Sequence, residues 1–124
     1  MKAKPKTLIP LERTASVKIK PISINSCWQG RRFKTKKYSE WREESFYLIK
    51  KLKLKKVVGA CCVQLTFHCS KNFKKCDADN MIKPSLDSLV ESGVIADDRF
   101  IEKLIVDKVR DTEDFWEFSI KGIS

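Results

Sequence analysis

Residues 59–69 (GACCVQLTFHC) restrict the fold of this chain more than any other stretch. The run is rich in β-formers and bounded by Gly59 and Ser70, so it reads as a strand. Val17-Lys18-Ile19-Lys20 alternates apolar and basic residues and reads as a second, half-buried strand, with Ile22-Ser23-Ile24 continuing the pattern past Pro21. Residues 101–110 and 115–120 read as two more, joined by the polar turn Asp111-Thr112-Glu113-Asp114 into an expected antiparallel hairpin. Ser39 is the expected N-cap of a first helix. Glu40, Glu43 and Glu44 would lie in its first turn, where the dipole favours anions, and Trp41, Phe46, Leu48, Ile49 and Leu52 would form its apolar stripe. A second helix is expected over 79–91, stopped by Ser92-Gly93 with glycine as a left-handed C-cap. The order β, α, β, α, β, β predicts an α+β domain: a mixed or antiparallel sheet with two helices packed on it. Residues 1–16, with Pro5 and Pro10, are expected to be a basic, loosely ordered lead-in to a domain spanning 17–124.

A chain of 124 residues can bury about two-thirds of its unfolded surface, enough for one core without staples. No apolar run approaches the roughly 20 residues needed to span a bilayer. The opening MKAKPKTLIPLERT is basic but has no apolar core or cleavage site of a signal peptide, so a cytoplasmic location is expected. Cysteines stand at 27, 61, 62, 69 and 76, an odd number with one adjacent pair and no C-x-x-C. That pattern argues against a disulfide framework, and against a zinc site built on Cys69, Cys76 and the lone His68. Cys61 and Cys62 read instead as small packing hydrophobes.

Charge is strongly segregated. Residues 1–76 carry 20 Lys/Arg against four Glu, or +16, while residues 77–124 carry six against 12 Asp/Glu, or −6. A protein that binds phosphates and also holds a cation needs both signs. The pairs Lys50-Lys51 and Lys55-Lys56 read as solvated faces. The loop 25–37 is a better phosphate-tracking candidate, through Arg31, Arg32, Lys34, Lys36 and Lys37. Trp28 and Phe33 are interleaved there; either could stack on a base, but packing is the favoured reading. Lys71, Lys74 and Lys75 form a second basic stretch.

That second stretch leads into the segment that carries chemistry: Asp77-Ala-Asp79-Asn80-Met-Ile-Lys83-Pro-Ser-Leu-Asp87, then Gly93-Val-Ile-Ala-Asp97-Asp98. Asp77 and Asp79 flank a helix entry, and Asp79, Lys83 and Asp87 share one helical face at i, i+4 spacing. Clustered carboxylates repel unless a cation neutralises them, and all-oxygen sets select hard divalent metals such as Mg²⁺, with Mn²⁺ as the alternative. Lys83 would stabilise charge developing on phosphate or assist an attacking water. Plainer roles stand beside these: Asp77 or Asp79 as helix cap, Asp79–Lys83 as a surface ion pair, Asp97-Asp98 as a turn. A calcium loop of EF-hand type is excluded, because its glycine and terminal Glu are missing after Asp77.

The string Asp77-x-Asp79-Asn80-x-x-Lys83-x-x-x-Asp87-x-Leu89, followed by Gly93-Val-Ile-x-Asp97-Asp98, resembles the signature of the RusA family of Holliday junction resolvases. The likeness extends more weakly upstream over most of residues 17–120. It implies an Mg²⁺-dependent homodimer that cuts opposite strands of a four-way DNA junction. It also implies metal-binding and catalytic carboxylates at Asp77, Asp79 and Asp98, an essential lysine at Lys83, and supporting roles for Asn80, Asp87 and Asp97. Where relatives can carry a dense arginine run, this chain has Lys71, Lys74, Lys75 and Cys76, and the three lysines still neutralise phosphates as point charges. The expected partner is therefore branched DNA, with no membrane and no small-molecule cofactor. A nuclease for another branched or duplex DNA, and a non-catalytic basic DNA-binding protein, are the alternatives.

Overall fold

The computed structural model describes residues 12–29, 33–73 and 77–123. Six strands run in chain order: β1 (Glu12–Val17), β2 (Trp28–Gln29), β3 (Phe33–Lys34), β4 (Cys61–Cys69), β5 (Ile101–Arg110) and β6 (Phe115–Gly122). Helix α1 (Lys36–Lys50) precedes β4, and α2 (Ala78–Glu91) joins β4 to β5. Four strands make one mixed sheet in the order β1-β6-β4-β5, while β2 and β3 form a separate two-stranded ribbon. β4 is parallel to β5 and antiparallel to β6. The parallel pair requires a crossover, and α2 supplies it.

Strand β4 is central, and its odd-numbered residues show why. Cys61, Val63, Leu65, Phe67 and Cys69 are all fully buried, whereas the even positions are only half-buried. One face of the sheet thus carries the core and the other faces outward, the pattern expected of a half-covered sheet. Trp116, Phe118 and Ile120 of β6 extend the buried face beside it. Tyr38, Trp41, Ser45 and Ile49 of α1, and Met81, Ser85 and Leu89 of α2, close over it. The Trp41 and Trp116 rings stack at 6.4 Å, joining helix to sheet.

Four local expectations are corrected. β1 lies at Glu12–Val17, not at 17–20, and so begins within the stretch expected to be loose. Its partner dictates this: β6 begins at Phe115, and the register Val17↔Trp116 leaves little strand to pair with beyond Val17. The chain instead turns back there, Ile19 N donating to the Val17 carbonyl at 2.8 Å.

Helix α1 is capped by Thr35 rather than Ser39, the Thr35 hydroxyl accepting from Tyr38 N at 3.1 Å. Lys36 and Lys37, disfavoured at a helix start by the dipole, disguise this cap in the sequence. Phe46 falls outside the buried stripe because five residues turn a helix by about 140° relative to Trp41.

The hairpin between β5 and β6 does not form, because β4 lies between them. Residues 111–114 instead bridge the end of β4. Asp111 N donates to the Cys69 carbonyl at 3.1 Å, and Asp114 accepts from Ser70 N at 2.6 Å and Ser70 Oγ at 3.1 Å.

The second helix and its stop follow expectation. α2 starts after Asp77 and ends before Ser92, and Gly93 takes φ +79°, a left-handed backbone that L side chains resist. Among the cysteines, Cys27, Cys61 and Cys62 are free thiols, while Cys69 is disulfide-bonded. Burial pushes the Cys27 thiol up to about 11, with Asp87 adding to the effect, so it stays protonated and inert. No helix among the described residues is long and apolar enough to cross a membrane.

Candidate active site

The acidic segment is presented by α2 and by the turn that follows it. Asp77 is the N-cap, extended at φ −105° and ψ 107°, and its side chain makes no capping bond. The Asp77 carboxylate instead accepts from Asn80 Nδ2 at 3.3 Å. Asp79 sits in the first turn, exposed, with no hydrogen bond or ion pair among the described residues. Pro84 lies inside the helix and has no N–H, so the Asn80 carbonyl four residues earlier lacks its usual intrahelical donor.

Lys83 joins the helix to the turn. Its ammonium is 3.0 Å from Asp87 Oδ1, one helical turn on, and 3.2 Å from Asp98 Oδ2, in the 3₁₀ turn Asp98–Phe100. These hydrogen bonds, Asp87 first and Asp98 second, hold the lysine above its ordinary pKa. Lys83 is therefore cationic at neutral pH. Asp97 caps the 3₁₀ turn, accepting from Arg99 N at 3.1 Å. That backbone N–H, helped by a side-chain hydrogen bond with Asp98, holds the Asp97 carboxyl below the usual range.

The carboxylates open onto two recesses. Asp77 and Asn80 line a groove of about 1140 Å³ together with Lys20, Lys37, Asn72 and Phe73. Asp87, Asp97 and Asp98 line a smaller cleft of about 380 Å³. Asp77, Asp79 and Asp98 do not meet at a point: no three His, Cys, Asp or Glu side chains among the described residues are grouped closely enough to hold a metal ion. Within the chain, the cation standing between Asp87 and Asp98 is the Lys83 ammonium.

Among the expected DNA contacts, Lys37 reaches the groove and Lys34 lines the cleft. Lys36 pairs loosely with Glu40 at 3.9 Å, both side chains largely in water, a pair worth little. Lys71 is exposed in the turn after β4. Arg31, Arg32, Lys74 and Lys75 lie outside the described residues. Lys20 and Lys108 in the groove wall were not anticipated. Lys20 was expected on a strand, but the chain leaves the sheet after Val17 and Lys20 lines the groove. Its ammonium instead sits 4.4 Å from the Phe73 ring centroid.

The family model described as endodeoxyribonuclease RusA matches residues 15–120, which contain both helices, the ribbon and nearly all of the sheet. Curated proteins offer no match.

Proposed function

We propose, for a chain that belongs to the RusA endodeoxyribonuclease family, the resolution of four-way DNA junctions by Mg²⁺-dependent hydrolysis of paired phosphodiesters. The enzyme class follows from the family. Junction choice, metal and paired symmetric cutting are the finer reading. The observation that carries it is the bridging lysine: Lys83 ties the helix that bears Asp77 and Asp79 to the turn that bears Asp98. An extended N-cap and a capped 3₁₀ turn hold the acidic residues at fixed backbone positions.

The donor set suits a hard divalent cation, since Asp77, Asp79 and Asp98 offer only oxygen, in solvent-accessible positions. These three would hold it, with Mn²⁺ as a substitute. When bound, the ion would supply charge neutralisation at phosphate and a more acidic water. Lys83, cationic and raised above its ordinary pKa, is suited to stabilise the charge that builds on phosphate rather than to take a proton. Asn80 orients the Asp77 carboxylate, Asp87 holds Lys83, and Asp97 shapes the turn that carries Asp98.

Cutting two opposed strands symmetrically calls for two such centres related by a two-fold axis, which a homodimer provides. The basic residues Lys34, Lys37 and Lys71 would neutralise phosphates along the arms, making binding strongly salt-dependent.

The direct test is Asp79→Asn on a synthetic four-way junction, with linear duplex and flap substrates alongside, each with and without Mg²⁺. The expected outcome is a loss of junction cleavage on the order of 100-fold or more with junction binding retained. Normal Mg²⁺-dependent cleavage by the variant would remove the assignment. Equal cutting of all three DNAs by the wild-type chain would favour a general nuclease.

A further inference from the structure

We infer that Trp28 is a stacking platform for an unpaired nucleobase beside the scissile phosphate. The inference rests on the nuclease reading above and names a feature of the substrate at that same site. The chain has three tryptophans, and two of them are core: Trp41 is 6% exposed and Trp116 is fully buried. Trp28 is 41% exposed, but single exposed aromatics are common, as Phe46 at 41% shows, so exposure alone gives it no use.

Its position supplies one. Trp28 lines the cleft that Asp87, Asp97 and Asp98 open onto. At about 380 Å³, the cleft falls within the roughly 300–1,000 Å³ that small-ligand sites occupy, with room for a base. Trp28 is also firmly mounted. It sits on β2 opposite Lys34 of β3, and the base of that ribbon is tied by Thr35 N to the Cys27 carbonyl at 2.9 Å and Thr35 Oγ1 to the Ser26 carbonyl at 2.6 Å. Tyr38 supports the indole at a 59° tilt with centroids 6.0 Å apart, an edge-type contact rather than a parallel stack. Lys34 Nζ lies over the ring, 5.4 Å from its centroid, so a base stacking on that face would displace the lysine toward the phosphate of the same nucleotide.

Such a platform has a specific consequence. Bases in an intact duplex are already stacked and cannot reach it, whereas those at a strand crossover can unstack at low cost. Trp28 therefore discriminates branched from linear DNA without reading sequence.

The test combines the wild-type chain with Trp28→Leu and Trp28→Phe. Because only Trp28 is exposed, iodide quenching of indole emission reports on it alone. A four-way junction, added in Ca²⁺ to prevent cutting, should protect that emission, and linear duplex should protect it much less. Trp28→Leu should weaken junction binding and cleavage roughly tenfold or more, change duplex binding less than about threefold, and be largely rescued by Trp28→Phe. Unchanged junction binding and cleavage in Trp28→Leu would overturn the inference, and so would unchanged iodide access in the junction complex, a result that needs no variant to fold. A wild-type chain that cuts no DNA would fail the nuclease reading and this inference together. A wild-type chain that cuts junctions while Trp28→Leu is indistinguishable from it fails the inference alone.

Discussion

The two helices begin differently although they cover the same face of the same sheet. At the start of α1, the Thr35 hydroxyl accepts from Tyr38 N and also donates to the Ser26 carbonyl, so one residue caps the helix and anchors the β2–β3 ribbon. At the start of α2, Asp77 has the extended backbone of a cap, but its side chain makes no capping bond. Asp is as good a cap as Thr, so the missing bond is not a matter of residue type. One terminus spends its polar side chain on stability; the other leaves a carboxylate available at the groove.

Substitutions at the two caps should therefore have opposite signatures. Asp77→Ser offers a capping hydroxyl in place of the carboxylate. Cleavage of a four-way junction should fall on the order of 100-fold or more, while thermal unfolding shows stability unchanged or raised by up to about 1 kcal/mol. A variant that is both inactive and clearly destabilised would erase the contrast. Thr35→Ala should act in the other direction, costing about 1–2 kcal/mol and lowering Tm by roughly 5 °C, with the Asp77 end of the molecule untouched. If its Tm matches wild type, the cap and ribbon anchor are not coupled as described.

The smallest effect expected is on acid stability. Asp111 is held below its ordinary pKa, first by the Thr112 backbone N–H and then by the His68 ring. A depressed folded pKa means that the unfolded chain binds more protons in acid. The contribution is therefore present above the carboxylate range and is lost as pH falls through it. Asp111→Asn should flatten the fall in Tm between about pH 5 and pH 3, slightly, because Asp111 is solvent-screened. A steeper fall in the variant would contradict the sign.

The acidic helix was more legible in the sequence than the sheet was, although the expected meeting of Asp77, Asp79 and Asp98 is not seen among the described residues. Asp79, Lys83 and Asp87 lie on one helix, where spacing alone dictates a shared face, and the Lys83–Asp87 contact follows directly. Lys83–Asp98 was accessible through Gly93, whose left-handed turn sends the chain back. Strand partners carry no comparable local signal. Asp111-Thr112-Glu113-Asp114 has the composition of a hairpin turn, yet two of its carboxylates make their bonds at the end of β4 and with His68. Only the position of β4 between β5 and β6 decides this, and that is a property of the whole sheet. Trp28 meets the packing expectation only in part: its indole contacts Tyr38 at a tilt, yet 41% of the residue stays exposed while Trp41 and Trp116 take interior positions.

The strand order has a consequence for how the protein is made. β6 is the last strand in the described chain, yet it pairs with β1 on one side and β4 on the other, aligning Glu12 with Lys121 and Cys61 with Gly122. Until residues 115–122 leave the ribosome, β1 has no neighbour and β4 has only one. Such distant pairings make folding slow relative to helical chains, because loop closure must precede any gain from contact. The acidic helix can form early, but the sheet that holds it against its turn closes only afterwards.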